Sequence, residues 1–207
     1  MRNRKQDNRV GIMGGTFNPI HYGHLVTAQE ALKQFNLNKV IFIPTGEPPH
    51  KTLAKIASAE DRYLMTVIAT ASNSNFIVSR IEIDKKGKSY TIDTVRELRK
   101  KYGKGLSLYF ITGADAILEI LTWKSTEEII TLCSFIAATR PGYDLSRIED
   151  LTKKLFNKNE GKISIMEVPA LAISSTDIRY RIKSGRPINY LLPEGVCNYI
   201  LKHGLYK

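Results

Sequence analysis

The sequence predicts an α/β fold, a Rossmann-like doubly wound parallel sheet with helices on both faces. Short apolar runs with no polar alternation, such as residues 10–13, 39–43 and 106–112, read as strands buried on both faces. Between them lie segments with apolar residues every third or fourth position, the pattern of amphipathic helices. Several runs stop at glycine or proline, which punctuates each strand with a turn.

Taken in order, residues 10–13 form a first strand that ends in Gly14-Gly15. A helix follows over 23–35, with Leu25, Ala28, Leu32 and Phe35 at helical spacing. Residues 39–43 are a second strand stopped by Pro44, and 45–58 are a loop holding Pro48-Pro49. A helix is expected at 59–72, an extended segment at 76–83, and a helix at 91–102 closed by Gly103. The third, fourth and fifth buried strands fall at 106–112, 135–138 and 163–168. Helices at 175–183 and 193–203 close the chain. With no internal repeat and no linker, residues 1–207 read as a single domain, carrying a flexible basic extension over about 1–8.

Bulk properties narrow the function classes. Hydrophobic residues make up 43% and charged residues 25%, an ordinary globular balance with no apolar run long enough for a bilayer. The polar segment from Met1 to Arg9 lacks the apolar core of a secretory signal, so a cytoplasmic protein without membrane partners is expected. Cys133 and Cys197 are far apart, lack metal-ligand spacing and sit in apolar surroundings, and read as buried thiols. The net charge of +11 calls for anionic partners. The basic residues are scattered rather than gathered on one stretch, which favours small phosphorylated ligands over nucleic acid. The oligomeric state is left open, a homodimer among the options.

Ligands of such sheets bind beyond the carboxyl ends of the strands. At the first strand end stands Gly14-Gly15-Thr16-Phe17-Asn18-Pro19-Ile20-His21-Tyr22-Gly23-His24. Paired glycines admit a phosphate close to the backbone, and the helix start that follows offers its positive end to the same anion. His21 and His24, three residues apart, fall on one face of that helix start and present imidazole donors. No lysine follows the glycines, so this is not a Walker-type loop. No third ligand at suitable spacing supports a zinc site.

Further on, Ile173-Ser174-Ser175-Thr176-Asp177-Ile178-Arg179 follows a strand. Its hydroxyls either cap a helix or, with Arg179, hold a polyphosphate. Asp115, after Gly113-Ala114, is either a ribose-binding carboxylate or a helix cap. His50 and Lys51 put positive charge on a loop stiffened by Pro48-Pro49. Trp123 is the sole tryptophan, and Thr91 opens a helix.

The first of these segments resembles the nucleotide-binding signature of the nucleotidyltransferase superfamily related to class I aminoacyl-tRNA synthetases. Asn18 stands where that signature usually has aspartate. Ile173 to Arg179 resembles the superfamily's second signature. Pro48-Pro49-His50-Lys51, the segment from Tyr90 to Thr94 and the spacing from Gly113 to Trp123 resemble the nicotinate-nucleotide adenylyltransferases in particular. That resemblance implies transfer of the adenylyl group of ATP to nicotinate mononucleotide, with release of pyrophosphate. It implies ATP binding by Gly14, Gly15, Thr16, Phe17, His21, His24, Gly113, Asp115, Ile173, Ser174, Ser175, Thr176 and Arg179, with His21, His24 and Arg179 as catalytic residues. It assigns the mononucleotide to His50, Lys51, Thr91 and Trp123, the indole stacking on the pyridine ring. Mg²⁺ is expected to arrive on ATP, with no ligands from protein side chains.

Overall fold

The computed structural model describes residues 8–48, 56–103, 105–156, 163–169 and 171–207. Among them, six strands form one all-parallel sheet: β1 (Asn8–Gly15), β2 (Lys39–Pro44), β3 (Phe76–Val78), β4 (Leu106–Gly113), β5 (Ser134–Thr139) and β6 (Ile163–Glu167). Their order across the sheet is β3-β2-β1-β4-β5-β6. The chain reverses direction of winding between β1 and β4, which opens a crevice at their carboxyl ends. Gly14 and Gly15 end one strand at that crevice and Gly113 ends the other.

The helices are α1 (Tyr22–Gln34), α2 (Ala59–Thr70), α3 (Thr91–Tyr102), α4 (Ala114–Leu118), α5 (Thr126–Leu132), α6 (Ser146–Phe156), α7 (Ser175–Lys183) and α8 (Glu194–His203). Strand periodicity divides the core between the two faces. Val10, Ile12, Ile41 and Ile43 point to one face and pack with Ile92, Val95 and Leu98 of α3, Ile117, Ile129, Ile148 and Leu151. Met13, Val40 and Phe42 point to the other and pack with Ala28 and Leu32 of α1, Met65 of α2, Ile178 of α7, and Val196 and Ile200 of α8. Both faces are thus covered, which is why the strands carry no polar alternation. Cys133 and Cys197 are both free and buried.

Local chemistry fixes the helix ends. Ser58 caps α2 by accepting from the Asp61 N–H, and Glu60 and Asp61 add negative charge to its first turn. Arg99, Lys100 and Lys101 complement the far end of α3, which Gly103 closes at φ 81°.

The structure departs from the sequence reading in two places. The expected extended segment at 76–83 is a strand only over Phe76–Val78. This edge strand pairs with β2 over Val40–Phe42, and the chain then bends so that the Asp84 N–H reaches the Arg80 carbonyl. Helices α4, α5 and α6 had no counterpart in the reading. The first two are short, and α5 is preceded by an N-cap residue, Ser125, in the left-handed region (φ 57°), a conformation that periodicity does not signal.

Candidate active site

Two cavities open at the crevice and share Gly14 and Thr112 on their walls. One, of about 340 Å³, is lined by His21, Gly23, His24, Gly113, Thr139, Arg140 and Ile173. The other, of about 580 Å³, is lined by Gly15, Thr16, Thr45, Pro48, Glu82, Tyr90, Thr91, Thr94, Trp123 and Lys124. A ligand in each would meet over Gly14. A Cβ there would lie 3.5 Å from the Phe110 ring, so that ring already fills one side of the position.

His21 and His24 stack at the start of α1, ring centroids 3.8 Å apart and planes 28° from parallel. His21 is the N-cap residue, and its backbone N–H donates to His24 Nδ1 at 3.3 Å. A neutral His24 ring that accepts at Nδ1 carries its proton on Nε2, which leaves Nε2 as a donor. Phe17 braces the same imidazole edge-on at 5.1 Å. Phe17 is only 2% exposed and holds φ 45°, with its ring buried against His24. Burial pulls His21 down to about 4. Burial and then the neighbouring His21 pull His24 well below its ordinary value. The pair is therefore neutral at pH 7.

The second signature docks onto the first. Ser175 Oγ donates to the Pro19 carbonyl at 2.8 Å, and Arg179 Nη1 donates to the Asn18 carbonyl at 2.8 Å. Ser174 caps α7 through the Asp177 N–H. Thr176 and Arg179 line a third cavity, of about 440 Å³, with Lys183, Tyr206 and Lys207. The histidines and Arg179 thus line different cavities, and Arg179 is tied to the histidine-bearing signature through the Asn18 carbonyl. Ile173 alone of this signature lines the histidine cavity.

Other anticipated residues fall as follows. Thr91, the first residue of α3, and Trp123 line the larger cavity, and the indole packs edge-on against Phe110 at 5.5 Å. Gly113 lines the smaller one. Asp115 lies in the first turn of α4, exposed, and accepts from the Tyr143 hydroxyl at 3.0 Å, on the wall of neither cavity. His50 and Lys51, like residues 1–7 of the basic extension, lie outside the described residues.

Several residues of the site had no signal in the sequence. Arg62 is 1% exposed and donates to three carbonyls: Thr16 at 2.9 Å, Gly46 at 2.9 Å and Ala57 at 3.0 Å. It ties the first signature to both ends of the loop that follows β2. The Asn18 carboxamide oxygen accepts from the Ala57 N–H at 3.0 Å, so this position supplies an acceptor without needing a charge. Gly46 passes so close to the chain at Glu82 that a Cβ would lie 2.1 Å from the Glu82 carbonyl oxygen. The Glu82 carboxyl is buried in the wall of the larger cavity, accepts from Thr94 Oγ1 at 2.6 Å, and is pushed up by burial.

Comparison with known proteins agrees with this fold. The family described as Cytidylyltransferase-like matches residues 12–181. A protein of Moorella thermoacetica named "Probable nicotinate-nucleotide adenylyltransferase" is 60% identical, covering 96% of this chain and 92% of its own. One of the same name from Thermoanaerobacter sp. is 56% identical, covering 98% and 96%. The solved nicotinic acid mononucleotide adenylyltransferase of Plasmodium falciparum shares the fold, with a TM-score of 0.76 at 20% identity over 96% of this chain and 97% of that one. The chain belongs to the cytidylyltransferase-like family and, within it, to the nicotinate-nucleotide adenylyltransferases.

Proposed function

We propose that the protein transfers the adenylyl group of ATP to nicotinate mononucleotide, giving nicotinate adenine dinucleotide and pyrophosphate for NAD synthesis. The observation that carries this reading is the pair of cavities meeting at Gly14 and Thr112. A mononucleotide phosphate in one would lie beside the α-phosphate of a nucleotide in the other. The relatives' names supply the acceptor.

The attacking group is a phosphate monoester, whose second pKa of about 6 leaves it largely ionised at pH 7. No general base is needed, and catalysis reduces to alignment and charge stabilisation. Neutral His24 donates from Nε2 to a phosphate oxygen, with His21 stacked beside it. Gly14 and Gly15 let the phosphates approach the backbone. Thr176 and Arg179, across the turn at Asn18 and Pro19, take the departing pyrophosphate. Trp123 holds the pyridine ring, and the start of α3 faces its carboxylate with the N–H groups of Thr91 and Ile92, the Asp93 N–H being taken by the Tyr90 carbonyl.

Mg²⁺ supplies charge neutralisation on the triphosphate. Among the described residues no cluster of three or more His, Cys, Asp or Glu could hold a metal. Phosphate oxygens and water would be its main ligands. Among the described residues, too, no helix is long and apolar enough to cross a membrane.

The test is pyrophosphate release from purified protein given ATP, Mg²⁺ and nicotinate mononucleotide, with the dinucleotide identified by mass. Absence of both products overturns the proposal.

A further inference from the structure

The larger cavity contains a cation that the alignment chemistry above leaves without a task. Lys124 lines its wall together with Trp123 and with Tyr90 and Thr91 at the start of α3. Its Nζ stands 4.4 Å from the centroid of the Tyr90 ring, itself part of the same wall. Cation–π attraction to that ring limits how far a surface lysine wanders. Among the described residues Lys124 makes no ion pair. Asp93, whose carboxylate feels the Lys124 charge, is already engaged by Lys85 Nζ at 2.5 Å and faces Arg96 Nη1 at 3.8 Å. Glu82, the acid on the cavity wall, is hydrogen-bonded to Thr94 and pushed towards its neutral form by burial. The cavity thus presents an ammonium that, among the described residues, has no ion-pair partner, next in sequence to Trp123.

We infer that Lys124 is a specificity-determining residue: its ammonium selects a mononucleotide whose ring bears a carboxylate over the otherwise similar carboxamide. The inference rests on the acceptor proposed above and assigns it a physical basis for discrimination. The acid and the amide fill the same space, and both stack on an indole. They differ by one negative charge, so shape cannot separate them but a fixed neighbouring cation can. The start of α3 acts in the same direction. Its partial charge serves any acceptor oxygen, amide or acid, whereas an ammonium rewards full ionisation.

The test compares wild type with Lys124→Gln and Lys124→Arg. Trp123 is the sole tryptophan, so its quenching reports the binding of each mononucleotide without turnover. Pyrophosphate release then gives kcat/KM for each. In Lys124→Gln the preference for nicotinate over nicotinamide mononucleotide should fall about three- to fivefold, the upper size expected of an exposed charge pair. Most of that change should be lost affinity for the acid, with the KM for ATP held. Lys124→Arg should restore most of the preference. An unchanged preference in Lys124→Gln, or an equal loss on both mononucleotides, overturns the inference. If wild type binds the acid through Lys124 but releases no pyrophosphate, the proposed reaction fails and the selectivity stands. If wild type turns over the acid and the variant discriminates as before, the reverse holds.

Discussion

The imidazoles of His21 and His24 stack face to face, 3.8 Å between centroids, and the backbone N–H of one donates to Nδ1 of the other. Two cationic rings could not hold this arrangement, so the stack, the burial and the neutral state belong together.

A first prediction concerns catalysis. His24→Ala removes the Nε2 donor and leaves the Phe17 ring without its edge partner, yet it deletes nothing from the sheet. We expect kcat to fall about 10²- to 10³-fold, the usual loss for one preorganised donor. Far-ultraviolet circular dichroism should be unchanged. Turnover close to wild type would falsify the role given to this residue.

The same pair predicts acid lability. A histidine whose folded pKa lies below its unfolded value binds fewer protons when folded, so the unfolded chain gains protons first as pH falls. The stability from keeping His21 neutral is fully present above pH 6.5 and is lost as pH drops towards about 4. The slope is about 1.4 kcal/mol per pH unit for each such histidine within that window. Urea titrations at pH 7 and pH 5 should show it, and His21→Gln should flatten it.

Arg62 is predicted to matter for the wall of the larger cavity and for the signature that leads from it to the histidines. Arg62→Met removes three hydrogen bonds and leaves the carbonyls of Thr16, Gly46 and Ala57 without that donor. We expect a loss of about 3 kcal/mol and a fall in Tm of about 10 °C, measured by calorimetry. KM values for ATP and for the mononucleotide should rise together, because the arginine holds the first signature, which carries the histidines, to the loop after β2 that borders the larger cavity.

Asn18 separates charge from hydrogen bonding at the position where the family's signature usually has aspartate. Its oxygen serves the Ala57 N–H, and an aspartate oxygen would serve it equally. Asn18→Asp should therefore alter stability by less than about 1 kcal/mol, whereas Asn18→Ala, which strands that N–H, should cost about 1–3 kcal/mol. Thermal melts of the two variants side by side decide this.

Trp123→Ala should raise the KM for the mononucleotide about tenfold, the upper range for one aromatic contact, with kcat largely kept. Steady-state kinetics with ATP saturating would show it. A loss confined to kcat would remove the indole from ground-state binding.

Amino-acid order alone was enough for the layered architecture, because strands buried on both faces and helices with one apolar stripe leave periodic traces in the chain. It was enough, too, for the glycine turn before α1, the imidazole pair, and the Ser-Ser-Thr start of α7, since each is a local pattern with a local geometry. Short helices such as α5, and the bend after β3, left no such trace, because pairing with distant segments terminates or starts them.

Tertiary structure alone decided which of those patterns share a space. It put Thr91 and Trp123 on one cavity wall, placed Arg179 on a different cavity from the histidines, and set Asp115 against Tyr143 instead. It also supplied Arg62, Glu82 and Lys124, which stand in sequence as unremarkable charges. A buried arginine joining Thr16, Gly46 and Ala57 has no local signature. Its partners are backbone carbonyls, which every residue carries, and only the folded chain determines which of them converge.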